Sequence, residues 1–252
     1  MAFEAIIILV VIFFLTSLVG VVTGSNSLIT VPAMFQIGID PRVAVATNMF
    51  GLVFMSIGGT IPFIRQRKID YRKVSPFIIL TLISSAIGAL LVGLISGPGI
   101  KLIVSIAMIA VAVFTLLKRD AGVGLEHKPG AHAALITYVL VFLLGIYGGL
   151  FSGGYTTILT AVCVAIYGMQ YTEAIASTKL INVFSSAIAT AIFMWQGLVD
   201  YRLGIILGLT MFVGAYVGAH YATKVSDIWL RRIFLTAVIL LALKTLSDFI
   251  LN

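Results

Sequence analysis

The stretch TGSNSLITVPAMFQIGIDPRVAVATNMF, Thr23–Phe50, decides the fold. Small polar residues interrupt an apolar run at Thr23-Gly24-Ser25-Asn26-Ser27, and a short apolar segment, Leu28–Ile37, follows. Gly38-Ile39-Asp40-Pro41 is turn chemistry, and a long apolar run resumes at Val43. At about 1.5 Å per residue the short segment covers only about half of a hydrocarbon core ~30 Å thick. The plan occurs a second time, in GGYTTILTAVCVAIYGMQYTEAIASTKLIN, Gly153–Asn182. The two copies align without gaps at an offset of 130, the distance from Asp70-Tyr71-Arg72 to Asp200-Tyr201-Arg202. Gly24 then meets Gly154, Thr30 meets Thr160, Gly38 meets Gly168, and Gly88-Ala89 meets Gly218-Ala219. The 252-residue chain therefore reads as one half written twice. Residues 1–117 form a first transmembrane repeat, 118–130 a cytoplasmic linker, and 131–252 a second transmembrane repeat. Short, Gly-interrupted apolar segments at corresponding positions of two halves point to a transporter's binding centre.

Composition agrees with a membrane setting. The chain is 61% hydrophobic and 10% charged, with mean hydropathy +1.17. A soluble domain cannot cover its surface with so few polar residues. The net charge of +7 sits in short loops, where positive charge holds topology, so it does not call for a nucleic-acid partner. Cys163 is the single cysteine, which excludes an intramolecular disulfide.

The expected fold class is an all-α polytopic membrane protein. Its eight long helices are 6–22, 43–64, 74–95, 100–117, 131–150, 174–195, 203–222 and 233–251, with two short broken or re-entrant segments between them. The first run follows Glu4 without a basic stretch before it, and is expected to be a retained span. If the short segments re-enter, the halves are parallel; if they cross, the halves form an inverted repeat. The inverted arrangement gathers the 65–73 basic cluster, the linker and the 223–232 loop on the cytoplasmic side, so the positive-inside rule prefers it.

Enzyme signatures are scarce. There is no HExxH, P-loop or GxSxG, the histidines are scattered, and paired carboxylates have nowhere to sit within the spans. The chain is read as no enzyme and as needing no cofactor or metal. Lys179 is the sharpest residue, a cation two turns into an apolar helix, where an ionised group needs a cavity or a partner. With Thr178, Asn182 and Ser186 it forms a polar stripe; the alternative is that it reaches the interface beside Glu173. In the first half the matching face carries Asn48, Met49, Leu52 and Ser56, with no lysine. The two breaks supply Ser25, Asn26 and Ser27, and Tyr155, Thr156 and Thr157. Backbone N–H groups at a helix start hold oxyanions, and hydroxyl and amide side chains add donors. The other reading is that these residues are plain helix caps. Asp-Tyr-Arg at 70–72 and 200–202 is expected to cap the helix that follows. Gly88 and Gly218 are expected to allow close helix contact.

The duplicated set TGSNSLITVP…GIDPRVAVATN and SGGYTTILT…GMQYTEAIASTK resembles the TauE/SafE family of sulfite and organosulfonate exporters. The resemblance covers essentially the whole chain. It implies a secondary transporter in the cell membrane of a prokaryote, exporting small sulfur-containing anions with coupling to protons. Its implied substrate-binding residues are those of the breaks with Thr47-Asn48 and Thr178-Lys179, and Asn182 joins them from the stripe. Alternating access between the two repeats is the expected mechanism. An anion channel, or a membrane subunit without transport, is the alternative. Whether copies of the chain associate as a homo-oligomer is not legible in the sequence.

Overall fold

A computed structural model describes residues 3–24, 26–117 and 132–221. Among these residues there are nine α-helices and no strand. They are α1 (Phe3–Thr23), α2 (Ser27–Gln36), α3 (Pro41–Arg65), α4 (Tyr71–Leu94), α5 (Gly97–Leu117), α6 (Ala133–Leu150), α7 (Tyr155–Ala165), α8 (Tyr171–Trp195) and α9 (Tyr201–Tyr221). Seven are long and apolar enough to cross a membrane, while α2 and α7 are the short pair. The linker 118–130, the run 233–251 read as the eighth span, and Ser25 lie outside the described residues.

Local chemistry sets the helix boundaries. Asp40 accepts the N–H groups of Arg42 and Val43 at 2.9 and 3.3 Å, with Pro41 at the first helical position of α3. Asp70 caps α4 through the N–H groups of Arg72 and Lys73, and Asp200 caps α9 through that of Leu203. The capping role expected of both Asp-Tyr-Arg triplets is therefore met. The same offset of 130 carries Pro41–Arg65 onto Tyr171–Trp195 at both ends, and the start of α4 at Tyr71 onto that of α9 at Tyr201. Left-handed residues recur in the same register, at Gly24 and Gly154, Gly38 and Gly168, and Arg67 and Gly197.

The helices of one half pack on those of the other. α4 lies against α6 and α8, α9 lies against α1 and α3, and α3 meets α8 at the centre. α3 and α8 are the most enclosed, with 72% and 56% of their spanning windows buried, against 28% for α1. Ile7, Ile8, Val11 and Leu15 on α1 are exposed, as a lipid-facing surface requires. Small residues set the close approaches. A Cβ on Gly88 would overlap the carbonyl oxygen of Ile146, and one on Gly218 would overlap that of Leu18. Both glycines thus stand where α4 meets α6 and where α9 meets α1.

Helix direction follows from side-chain pairs. Along α4 and α8, Lys73 meets Glu173, Ser85 meets Ser185, and Gln196 donates to the carbonyl of Leu90, so the two run the same way. Along α3 and α9, the N–H of Asp200 donates to Thr47, while a Cβ on Gly204 would touch Phe50 and one on Gly208 would touch Phe54. That pair also runs in a common direction.

Candidate functional site

The two breaks meet. Gly24 has φ +75°, a conformation costly for any residue with a Cβ, and it leaves no room for one. A Cβ there would overlap Thr156 Oγ1 and stand 3.0 Å from the N and Oγ1 of Thr157. Thr156 donates its hydroxyl to the carbonyl of Gly24 at 2.8 Å, which ties the start of α7 to the end of α1. Tyr147 holds the second break from below by donating to the carbonyl of Gly153. Neither Asn26 nor Gly154 makes a side-chain cap bond at the helix that follows it. The Asn26 amide instead donates to Ser17 Oγ and Met55 Sδ, both at 3.1 Å. The capping reading of the breaks therefore does not describe Asn26 or Thr156; their side chains join separate elements.

Behind the breaks a hydroxyl scaffold repeats in the 130 register. Thr30 donates to Asn48 Oδ1 at 2.7 Å, and Thr160 pairs with Thr178 at 2.9 Å. Thr30 also donates to the carbonyl of Asn26, as Thr160 does to that of Thr156. Each short helix is thereby fixed against the long helix that follows it.

In front of the breaks lies a cavity between α1, α2, α3, α7 and α8, lined on its polar side by Asn26, Ser27, Ser56, Thr156, Lys179 and Asn182. Its volume is about 20 Å³, the room of about one water molecule. The starts of α2 and α7 both contribute to its wall, so two partial positive charges of helix termini converge there. Asn182 donates to Ser56 Oγ at 2.6 Å across the α3–α8 contact, and Asn48 donates to Ser27 Oγ at 2.9 Å. Ser27 and Ser56 are acceptors in these bonds, which leaves each its own O–H to donate.

Lys179 is 6% exposed and lines this cavity. It does not reach the interface beside Glu173, because Glu173 binds Lys73 at 2.9 Å. Among the described residues no carboxylate pairs with the Lys179 ammonium. Its counterpart, Met49, is a buried core residue, so the charge of the site comes from one half alone. Burying an ion without a partner costs several kcal/mol.

Five of the expected substrate-binding residues, Asn26, Ser27, Thr156, Lys179 and Asn182, line the cavity. Asn48 and Thr178 stand behind it in the scaffold. Thr47 lies elsewhere, accepting the N–H of Asp200 at 3.0 Å and holding α9 to α3. Tyr155 is fully buried in the cluster with Phe77 and Ile181, its ring beneath Gly148. Thr157 is half-buried and crowds Gly24. Val21 and Met55 escaped sequence reasoning because each is an apolar residue in an apolar run, and Ser17, beside Thr16, because nothing local marks its bond to Asn26.

Residues 8–245 match the model of the family described as "Sulfite exporter TauE/SafE". The "Probable membrane transporter protein ORF9" of Sinorhizobium is 29% identical, the match covering 98% of this chain and 95% of that protein. A "Probable membrane transporter protein" of Haemophilus influenzae is 24% identical over 97% of this chain and 96% of its own length. The Escherichia coli K12 protein named "Probable membrane transporter protein YfcA" is 27% identical over 96% and 91%. No solved structure matches. With spans, breaks and family match in agreement over nearly its full length, this integral membrane protein belongs to the sulfite exporter TauE/SafE family of membrane transporters.

Proposed function

We propose that the protein is a secondary transporter exporting small anions, sulfur oxyanions such as sulfite and organosulfonates foremost, across a prokaryotic cell membrane. The observation that carries this reading is Lys179, a buried cation without a carboxylate partner among the described residues, facing a cavity lined by hydroxyl and amide groups. The sulfur class rests on the family's description, and the membrane on the bacterial sources of the relatives. Alternating exposure of the site between inverted halves is supported by helix direction. α4 runs with α8 and α9 runs with α3, while α3 and α4 are successive spans joined by a short turn and so cross in opposite senses. On that reasoning α3 and its repeat α8 are antiparallel. The cavity's volume of about 20 Å³ is too small for a sulfur oxyanion, so binding requires the halves to part.

The test is thermal stabilisation of the purified protein by sulfite, sulfoacetate, thiosulfate and acetate, for wild type and Lys179→Met. A ligand at a hundred times its Kd stabilises the native state by about 2.7 kcal/mol. A sulfur anion is expected to raise the wild-type Tm and to leave Lys179→Met unmoved. Equal shifts in both proteins would remove Lys179 from the site, and no shift by any anion would remove the anion reading. Saturating flux with counterflow in liposomes separates a carrier from a channel.

A further inference from the structure

We infer that the seam between α4 and α8 is the route by which the site opens to one face of the membrane, with Lys73 and Glu173 as its latch. The inference rests on the alternating-exposure reading above. Steps of four residues place Lys73, Phe77, Thr81 and Ser85 on one face of α4. The same steps place Glu173, Ser177, Ile181 and Ser185 on one face of α8. The two faces meet at both ends, through the Lys73–Glu173 pair at 2.9 Å and the Ser85–Ser185 hydrogen bond at 2.7 Å. Between those ends, the hydroxyl of Ser177 is buried with no hydrogen-bond partner, and those of Thr81 and Tyr155 lie beside each other without closing a hydrogen bond. Tyr155 packs in the same cluster as Phe77 and Ile181, and it is the neighbour of Thr156, which lines the cavity. Hydroxyl groups thus lie along the seam between the latch and Tyr155, whose chain neighbour Thr156 lines the cavity.

The seam at the repeat-related position has the opposite character. In the 130 register, the α4 face becomes Leu203, Leu207, Met211 and Ala215 on α9, and the α8 face becomes Val43, Thr47, Gly51 and Met55 on α3. Its one hydroxyl, Thr47, is engaged by the N–H of Asp200, whereas the counterpart Ser177 is unengaged. Gly51 lets Met211 pack directly on the α3 backbone. Wetting an apolar, interlocked seam is unfavourable, whereas wetting orphaned hydroxyls satisfies them. An ion pair half exposed at the mouth is easily exchanged for water; the Lys73 side chain is 46% exposed.

The test needs no substrate. Cys163 is replaced by Ser, and a reporter cysteine is placed at Ser177→Cys, where no hydrogen bond is lost, or at Ala215→Cys in the other seam. Each is reacted in proteoliposomes with a membrane-impermeant trimethylammonium methanethiosulfonate. Glu173→Gln and, independently, Lys73→Gln are expected to speed labelling at Ser177→Cys by roughly two- to fivefold, the scale set by a partly exposed ion pair. Labelling at Ala215→Cys is expected to stay unchanged, and the charge swap K73E/E173K is expected to return the Ser177→Cys rate toward that of the latched protein. A Ser177→Cys rate indifferent to both neutral variants, or Ala215→Cys accelerating equally, overturns the inference. Failure of sulfite to stabilise the protein would leave these rates unaffected, so the two readings fail separately.

Discussion

The two seams that join the halves occupy equivalent positions, yet they are built from different chemistry. The α3–α9 seam is apolar, with Met211 against Gly51, and is closed by Thr47 accepting the N–H of Asp200. The α4–α8 seam carries the hydroxyls of Thr81, Ser85, Ser177 and Ser185 and is closed by the Lys73–Glu173 ion pair. The site shows the same imbalance, since Lys179 faces Met49 across the repeat relation. Duplication supplies two similar frames. Divergence within them makes one seam apolar and the other polar, and places the buried lysine in one half alone.

The largest expected effects lie where the halves agree. Gly88→Ala and Gly218→Ala each drive a Cβ into a neighbouring carbonyl oxygen, and each should cost about 1–3 kcal/mol by overpacking, read as a lower Tm in detergent. Markedly unequal losses would extend the asymmetry from the seams to the outer contacts. Next comes the pair that tests the seams directly. Thr47→Val leaves the Asp200 N–H unpaired and should cost about 1–3 kcal/mol. Ser177→Ala removes a hydroxyl without a partner and should leave Tm unchanged or slightly raised. Equal losses from the two substitutions would break the comparison. Thr81→Val, which keeps the shape and removes a hydroxyl beside that of Tyr155, should leave Tm nearly unchanged. Small too is the effect of Lys73→Gln on stability, expected below about 1 kcal/mol because the pair is partly exposed, even though its effect on thiol labelling is measurable.

Much of this was legible before any coordinates. The long apolar runs, the two breaks, the offset of 130 and the Asp caps are local or periodic signals, and the helices begin where those signals change. Lys179 stood out because an ammonium in an apolar span is rare for a physical reason. Sequence reasoning went astray where a residue's partner is remote. Thr47 was expected in the site from the family resemblance, but its hydroxyl serves Asp200 on α9. Tyr155 looked like a donor at a break, but its ring is core beside Phe77. Glu173 looked like a neighbour for Lys179 on one helix, and its partner is Lys73 in the other half.

The sequence by itself determined that the chain crosses a membrane, that a pattern recurs along it at an offset of 130, and where each copy is interrupted. Those properties depend on hydropathy, turn chemistry and repetition, which are read along one strand of text. Only the tertiary structure decided which hydroxyls are engaged and which are orphaned, that Lys179 faces the cavity, and that the α4–α8 seam is the polar one. Pairing between helices about a hundred residues apart is set by packing across the two halves, and no local pattern in either helix encodes its partner.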